Sequence, residues 1–222
     1  MKPRLPLSFV LAMLCITLSA VLPAAAQQTL YENGPINGNT DAWTINFGFF
    51  ISDNFTISTG NSTVSGMSFG VWLTPGDILE SVELTLSSQP LQTGTIYFDG
   101  MVNLTQSGCV PNSFSFDVCT ETASFTPTLL SNGVYWVTLQ NGIDSEDHPV
   151  YWDENSGSGC HSAGCPSEAV NDILAGGSIP SEAFTILGSA ESTTGTVPEP
   201  TSLFLFSSGV LGAGSLLRRK FF

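Results

Sequence analysis

The stretch Met67-Ser68-Phe69-Gly70-Val71-Trp72-Leu73, followed by Thr74-Pro75-Gly76-Asp77, indicates most clearly how this chain folds. Large apolar side chains occupy every second position from Met67 to Leu73, which is the spacing of a β-strand with one buried face. The Pro75-Gly76 pair then predicts a turn, because proline fixes φ and glycine accepts a positive φ.

Similar alternation recurs along the chain. Further runs that predict strands are 43–49, 82–87, 114–118, 135–139, 150–152 and 184–187. Clusters of Gly, Pro, Asn and Ser separate these runs, and no long stretch before residue 197 shows helical periodicity. Many short strands with turn-rich spacers predict an all-β domain, a β-sandwich for which a jelly-roll arrangement is one candidate.

The amino-terminal residues predict a signal peptide. Lys2 and Arg4 are followed by an apolar run over residues 5–22, and Ala24-Ala25-Ala26 offers small residues at a cleavage site. We therefore expect residues 1–26 to be removed on export.

The carboxyl-terminal residues form three ordered parts. Val197-Pro198-Glu199-Pro200 is expected to be extended, because each proline disfavours helix at the residue before it. Residues 201–217 carry no charge and, as a helix, would span about 25 Å, near the short limit for crossing a bilayer. Arg218, Arg219 and Lys220 supply the positive flank expected on the cytoplasmic side.

This order of motif, apolar segment and basic end resembles the PEP-CTERM sorting signal of Gram-negative bacteria that export proteins alongside exopolysaccharide. The resemblance implies recognition by a membrane-embedded exosortase and cleavage near the motif. An inner-membrane-anchored precursor would then pass to the cell surface or the extracellular matrix. Several segments between the two signals also resemble an ectodomain type that is often attached to such tails.

The sequence thus divides into a signal peptide (1–26), a β-sandwich ectodomain (27–188), a Ser/Thr-rich linker (189–196) and a sorting signal (197–222). All five basic residues lie in the two terminal segments, whereas only Glu199 of the 19 acidic residues does, which leaves 18 acidic residues and no Lys or Arg in residues 27–196. Such a charge argues against nucleic acid as a partner, because its phosphates are held by basic contacts.

Four cysteines remain after the signal peptide, and three pairings are open to them. An even count in an exported chain favours disulfides, and we expect the local pairs Cys109–Cys119 and Cys160–Cys165. The alternative is a zinc site that includes Cys160, His161 and Cys165.

Two further sets of residues could bind a ligand. Asp144, Glu146, Asp147, Asp153 and Glu154 form an acidic group with the oxygen ligands that calcium prefers, although a solvated acidic loop is the simpler interpretation. Trp72 and Trp136 fall on the strand face opposite the main apolar set. They could therefore stack on a sugar ring, and the alternative is a buried structural role.

The sequence offers no catalytic motif. His148 and His161 are the only histidines, and neither lies in a nucleophile-elbow or zinc-protease pattern. We therefore expect a non-enzymatic exported surface or matrix protein without a cofactor. A carbohydrate-binding module for exopolysaccharide is the first alternative, and a glycan-active enzyme is the second, because fold-dependent carboxylate pairs are invisible in sequence.

Overall fold

A computed structural model describes residues 27–58, 60–155, 167–172 and 177–190. These residues form β-strands and connecting loops with no helix, which confirms the predicted all-β class. The strands are β1 (Gln28–Asn33), β2 (Ala42–Thr44), β3 (Phe50–Ile57), β4 (Ser62–Leu73), β5 (Leu79–Gln89), β6 (Thr93–Pro111), β7 (Asp117–Leu130), β8 (Gly133–Asp144), β9 (Tyr151–Asp153), β10 (Ala169–Asn171), β11 (Gly177–Ile179) and β12 (Phe184–Ala190).

The predicted terminal segments lie outside the described residues. These are the signal peptide, most of the linker and the apolar helix at 201–217. The chain divides into two units, 1–190 and 191–222, and none of the second unit is described. At the boundary, β12 continues to Ala190 and so includes the first two residues of the predicted linker.

All the strands belong to one curled, largely antiparallel sheet. Its main path runs β1-β12-β4-β7-β6-β5-β8-β3-β10-β11, and β2 and β9 pair beside it. The long strand β6 joins the two halves, because its first part pairs with β5 up to Asn103 and its second part pairs with β7 from Leu104. The fold is therefore sandwich-like, with two halves that are continuous through β6.

The core follows from the alternation seen in the sequence. Phe69, Val71 and Leu73 of β4 are fully buried, as are Leu84 and Leu86 of β5. Val137 and Leu139 of β8 face the same cluster. Burying a side chain of this size contributes about 1.5–3 kcal/mol, so these alternating positions supply much of the driving force for folding.

The short strands β2 and β9 lie beside the end of β4 in the sheet. Tyr151 and Trp152 of β9 pair with Trp72 and Val71, and β2 pairs with the other edge of β9. The Trp152 ring meets Phe69 edge-on, with ring centroids 6.4 Å apart. These short strands therefore extend the sheet along the edge of β4 that carries Val71 and Trp72.

The predicted strand at 43–49 is interrupted. Only its start forms β2, and a turn follows in which the Phe49 amide donates to the Asn46 carbonyl at 3.0 Å. Phe47 has a φ of 55° and is 56% exposed, so its position in the alternating pattern does not correspond to core packing. The turn directs the chain from β2 into β3.

The predicted local pair Cys109–Cys119 is a disulfide that links β6 to β7. It closes a loop of 10 residues by sequence separation. Cys160 and Cys165, for which a second local disulfide is expected, lie outside the described residues together with His161.

Candidate functional site

The buried acidic side chains of this domain rely on neutral hydrogen-bond donors, because residues 27–196 contain no Lys or Arg that could form salt bridges. Among the described residues, His148 and Asp77 form an ion pair. The other buried carboxyls accept hydrogen bonds from amides, hydroxyls and indoles, or have no hydrogen-bond partner.

Two tryptophans donate to neighbouring carboxyls at the end of β9. The Trp72 indole N–H donates to Asp153 Oδ1 and the Trp43 indole N–H donates to Glu154 Oε1, both at 2.6 Å. Asp153 also accepts the backbone amides of Asn37 and Gly38, at 2.9 and 3.1 Å. Burial raises the pKa of Asp153, and these hydrogen bonds partly offset the rise.

Asp53 and Glu182 are both fully inaccessible to solvent. Asp53 Oδ2 accepts from the Glu182 amide at 2.7 Å and from the Ser181 hydroxyl at 2.8 Å. Burial raises the pKa of Asp53 to about 7 despite these bonds. The pKa of Glu182 is also raised well above its usual range, first by burial and then by the charges of Asp53 and Glu154.

Glu121 lies in β7 on the face that carries Cys119 and Ala123. It is fully buried, and neither of its carboxyl oxygens has a hydrogen-bond partner. Burial raises its pKa to about 8, so this group is mostly protonated in the folded protein at neutral pH.

Trp72 is buried rather than projecting outward, with 4% of its surface exposed. It stacks on Phe114 with centroids 5.3 Å apart and an interplanar angle of 22°. The accessible ring expected from strand alternation is not observed, because Phe114 and Phe116 of the loop before β7 pack against Trp72.

An aromatic pocket lies where these elements meet. It has a volume of about 250 Å³ and is lined by Asp41, Ala42, Trp72, Phe114, Phe116 and Tyr151. Phe114 is 50% exposed and so offers the most accessible ring of the set. Phe116 meets Tyr151 edge-on at 5.5 Å, which fixes the inner wall.

Trp136 lies elsewhere in the sheet. It is half-buried on β8, where its cross-strand partners are Asn54 of β3 and Ser87 of β5. The strands β7, β6 and β5 separate β8 from β4 along the sheet. Trp72 and Trp136 therefore do not form one platform.

The five carboxyls proposed for calcium divide between two places. Asp153 and Glu154 accept the tryptophan bonds described above, whereas Asp144 accepts the backbone amides of Glu146 and His148, both at 3.0 Å. In the described part of the chain, Asp77, Asp144 and His148 form a group that could bind a metal. One ligand atom from each lies within 4.8 Å of the other two. Calcium binding by the original set stays a prediction.

Sequence reasoning missed most of the residues that these two places bring together. The alternation at 114–118 predicts a short strand, yet Phe114 and Phe116 lie in the loop that precedes β7 and line the pocket. Asp77 was interpreted only as the end of a turn. A signal for His148 is present, since Asp144, Glu146 and Asp147 precede it in the chain, but the contact with Asp77 depends on the fold.

We predict that the Glu121→Gln variant is more stable than the wild type above neutral pH and less sensitive to pH. The Glu121 pKa is about 8 in the folded protein, against an ordinary value of 4.5. Between these two pKa values the folded state therefore binds more protons than the unfolded state. The free energy of unfolding consequently falls as the pH rises from 4.5 to about 8. Urea unfolding at several pH values between 4 and 8 measures the effect.

The exposed Glu32→Gln variant is the matched control for Glu121→Gln, because it removes the same charge from the surface. It should unfold with the same pH dependence as the wild type. Identical pH profiles for Glu121→Gln and wild type would contradict a protonated Glu121.

Comparison with known proteins identifies the tail. The family model for the PEP-CTERM protein-sorting motif matches residues 196–220. No curated protein matches the chain. Within the described residues no helix is long and apolar enough to span a membrane. The chain thus carries a PEP-CTERM protein-sorting motif behind a β-rich ectodomain, which implies an exported, membrane-anchored precursor processed by an exosortase.

Proposed function

We propose that the ectodomain is a non-enzymatic component of the cell surface or extracellular matrix, delivered through its PEP-CTERM motif. The observation that carries this proposal is the match at residues 196–220 directly after an all-β domain. The sorting motif supports export and processing. The part that we propose is the role of the domain after its release.

The composition of the ectodomain supports a role outside the cell. Its 18 acidic residues without Lys or Arg in residues 27–196 favour solubility and oppose binding to anionic polymers. The Cys109–Cys119 disulfide suits an oxidising compartment. A partner of this domain is therefore expected to be neutral or cationic.

We predict that changing Pro198, Glu199 and Pro200 together to Ala blocks tail processing and leaves a membrane-anchored precursor. The physical reason is that the two prolines keep the segment extended and accessible before the apolar span. Mass spectrometry of the carboxyl terminus measures the result in membrane and exported fractions. The exported wild-type protein should lack residue Phe222.

A variant with Thr193 and Thr194 changed to Ala is the control, because it alters the linker and leaves the motif intact. It should be processed like the wild type. An exported wild-type product that retains Phe222, or normal processing of the triple Ala variant, would overturn the proposed route.

Carbohydrate binding at the aromatic pocket is the second proposed function. The pocket combines the accessible Phe114 ring with Phe116, Tyr151 and the carboxyl of Asp41. Aromatic faces stack on sugar rings, and a nearby carboxyl can accept from a sugar hydroxyl. The acidic surface favours a neutral glycan of the exopolysaccharide over an anionic one.

Hydrolysis of such a glycan is the weaker alternative. The usual glycosidase mechanism uses two carboxyl groups on opposite sides of the scissile bond. Among the described residues that line this pocket, Asp41 alone carries a carboxyl group. This lining favours binding over turnover, and assays of polymer size after incubation distinguish the two.

We predict that Phe114→Ala weakens binding to a neutral polysaccharide and leaves Tm nearly unchanged, because this ring is half-exposed. Trp72→Ala should instead destabilise the domain by about 3–5 kcal/mol, since it empties a buried site. It also removes the indole donor of Asp153. A glycan array selects the ligand, and affinity electrophoresis with thermal unfolding measures each variant.

Phe47→Ala is the matched control, because Phe47 is another exposed phenylalanine that lies outside the aromatic pocket. It should retain wild-type binding. Equal losses in Phe47→Ala and Phe114→Ala, or no loss in either, would argue against a sugar site at this pocket.

A further inference from the structure

The corner of the sheet between the β4–β5 turn and the β8–β9 loop holds two aspartates and a histidine at fixed positions. The Asp77 amide donates to the Thr74 carbonyl at 3.0 Å and closes the turn, in which Gly76 has a φ of +95°. Proline at the second turn position and a glycine with positive φ at the third are the pattern of a type II turn. This turn places Asp77 two residues before the start of β5.

The β8–β9 loop is fixed on the other side. Asp144 Oδ1 accepts the amides of Glu146 and His148, each at 3.0 Å, which folds the loop back on the end of β8. The Ser145 amide donates to the Ile78 carbonyl at 3.0 Å, and the Ser145 hydroxyl accepts the Ile78 amide at 3.1 Å. These bonds join the loop to the turn, so the three side chains are positioned before any ligand arrives.

The distances between the three side chains suit one shared ion. One ligand atom from each of Asp77, Asp144 and His148 lies within 4.8 Å of the other two. Asp77 Oδ2 and His148 Nδ1 are 2.7 Å apart. Two ligand atoms on one tetrahedral zinc are roughly 3.3 Å apart, given zinc–ligand distances of about 2.0–2.1 Å. The separations between ligand atoms would therefore have to change by at most about 1.5 Å to reach this geometry.

An unsatisfied oxygen provides independent evidence for a ligand. Asp144 is 8% exposed, and its Oδ2 atom is buried without a hydrogen-bond partner. A buried carboxylate oxygen without a partner costs free energy, and a bound cation would remove that cost. The other oxygen, Oδ1, already accepts two amides, as is common for carboxylates that ligate metals.

The donor set selects the type of ion. Calcium takes six to eight oxygen ligands, whereas an imidazole with two carboxylates suits zinc and related divalent transition metals. His148 presents 47% of its side-chain surface to solvent, so water can fill the remaining coordination position. No Lys or Arg occurs in residues 27–196 to compete for the two carboxylates.

We propose that Asp77, Asp144 and His148 form a binding site for a divalent transition-metal ion of the zinc type, completed by water. This site shares Asp144 with the acidic calcium set but takes its other two ligands, Asp77 and His148, from outside that set. It has no residue in common with a zinc site at Cys160, His161 and Cys165. It is also independent of the proposed sugar pocket, with which it shares no lining residue.

Isothermal titration with ZnCl2 tests the proposal on the exported protein after removal of metal with a chelator. The expected result is one zinc per chain, with CaCl2 binding at least tenfold more weakly. His148→Gln and Asp144→Asn should each lower zinc affinity by at least about tenfold, since losing even an outer partner of a ligand costs about 10–100-fold. Asp144→Asn keeps an oxygen that can accept the two amides of the loop.

Two variants are the controls. His161→Gln removes the other histidine of the chain, and Glu80→Gln removes a charge from an exposed position on the adjacent strand. Both should bind zinc like the wild type. Circular dichroism establishes that each variant is folded, and His148→Gln alone carries the test if Asp144→Asn does not fold.

Three results would overturn the proposal. The first is the absence of zinc binding by the wild type. The second is loss of binding in His161→Gln with retention in His148→Gln, which would place zinc at the cysteine segment. The third is calcium binding as tight as zinc that His148→Gln leaves unchanged.

Discussion

The absence of Lys and Arg from residues 27–196 constrains the rest of this structure. Folding an acidic chain requires some carboxyls to leave water, and here no permanent cation can neutralise them. Asp153 and Glu154 are held by tryptophan indoles, Asp53 by amide and hydroxyl donors, and Glu121 has no hydrogen-bond partner. Neutral donors and bound protons therefore replace the salt bridges of an ordinary domain, and the raised pKa values of these groups have one common origin in burial.

The fold class could be predicted because its strongest signals are local. The alternation at 67–73, 82–87 and 135–139 lies within β4, β5 and β8, which form much of the core. These strands have one apolar face against the core, so a period of two survives in the sequence. By contrast, β6 was missed because most of its residues are exposed or half-buried and show no clear apolar face.

The remaining errors come from contacts between distant segments. Phe47 continues an alternating pattern but lies in a turn, because local hydrogen bonding by Asn46 overrides the pattern. Trp72 lies on the polar face of its strand by periodicity, yet Phe114 and Phe116 of the loop before β7 pack against its ring. The grouping of Asp77 with His148 joins residues 71 positions apart. The sorting motif could be identified from sequence, because it is recognised as a linear motif and needs no contact between distant segments.

Protons, rather than basic side chains, neutralise the buried carboxyls of Asp53 and Glu121. Comparing potentiometric titrations of the folded protein and of the protein unfolded in urea tests it most directly. The folded protein should hold more bound protons at pH 6, because the pKa values of Asp53 and Glu121 are about 7 and about 8. Unfolding should therefore release protons. Equal proton binding in the two states, or proton uptake on unfolding, would contradict the account.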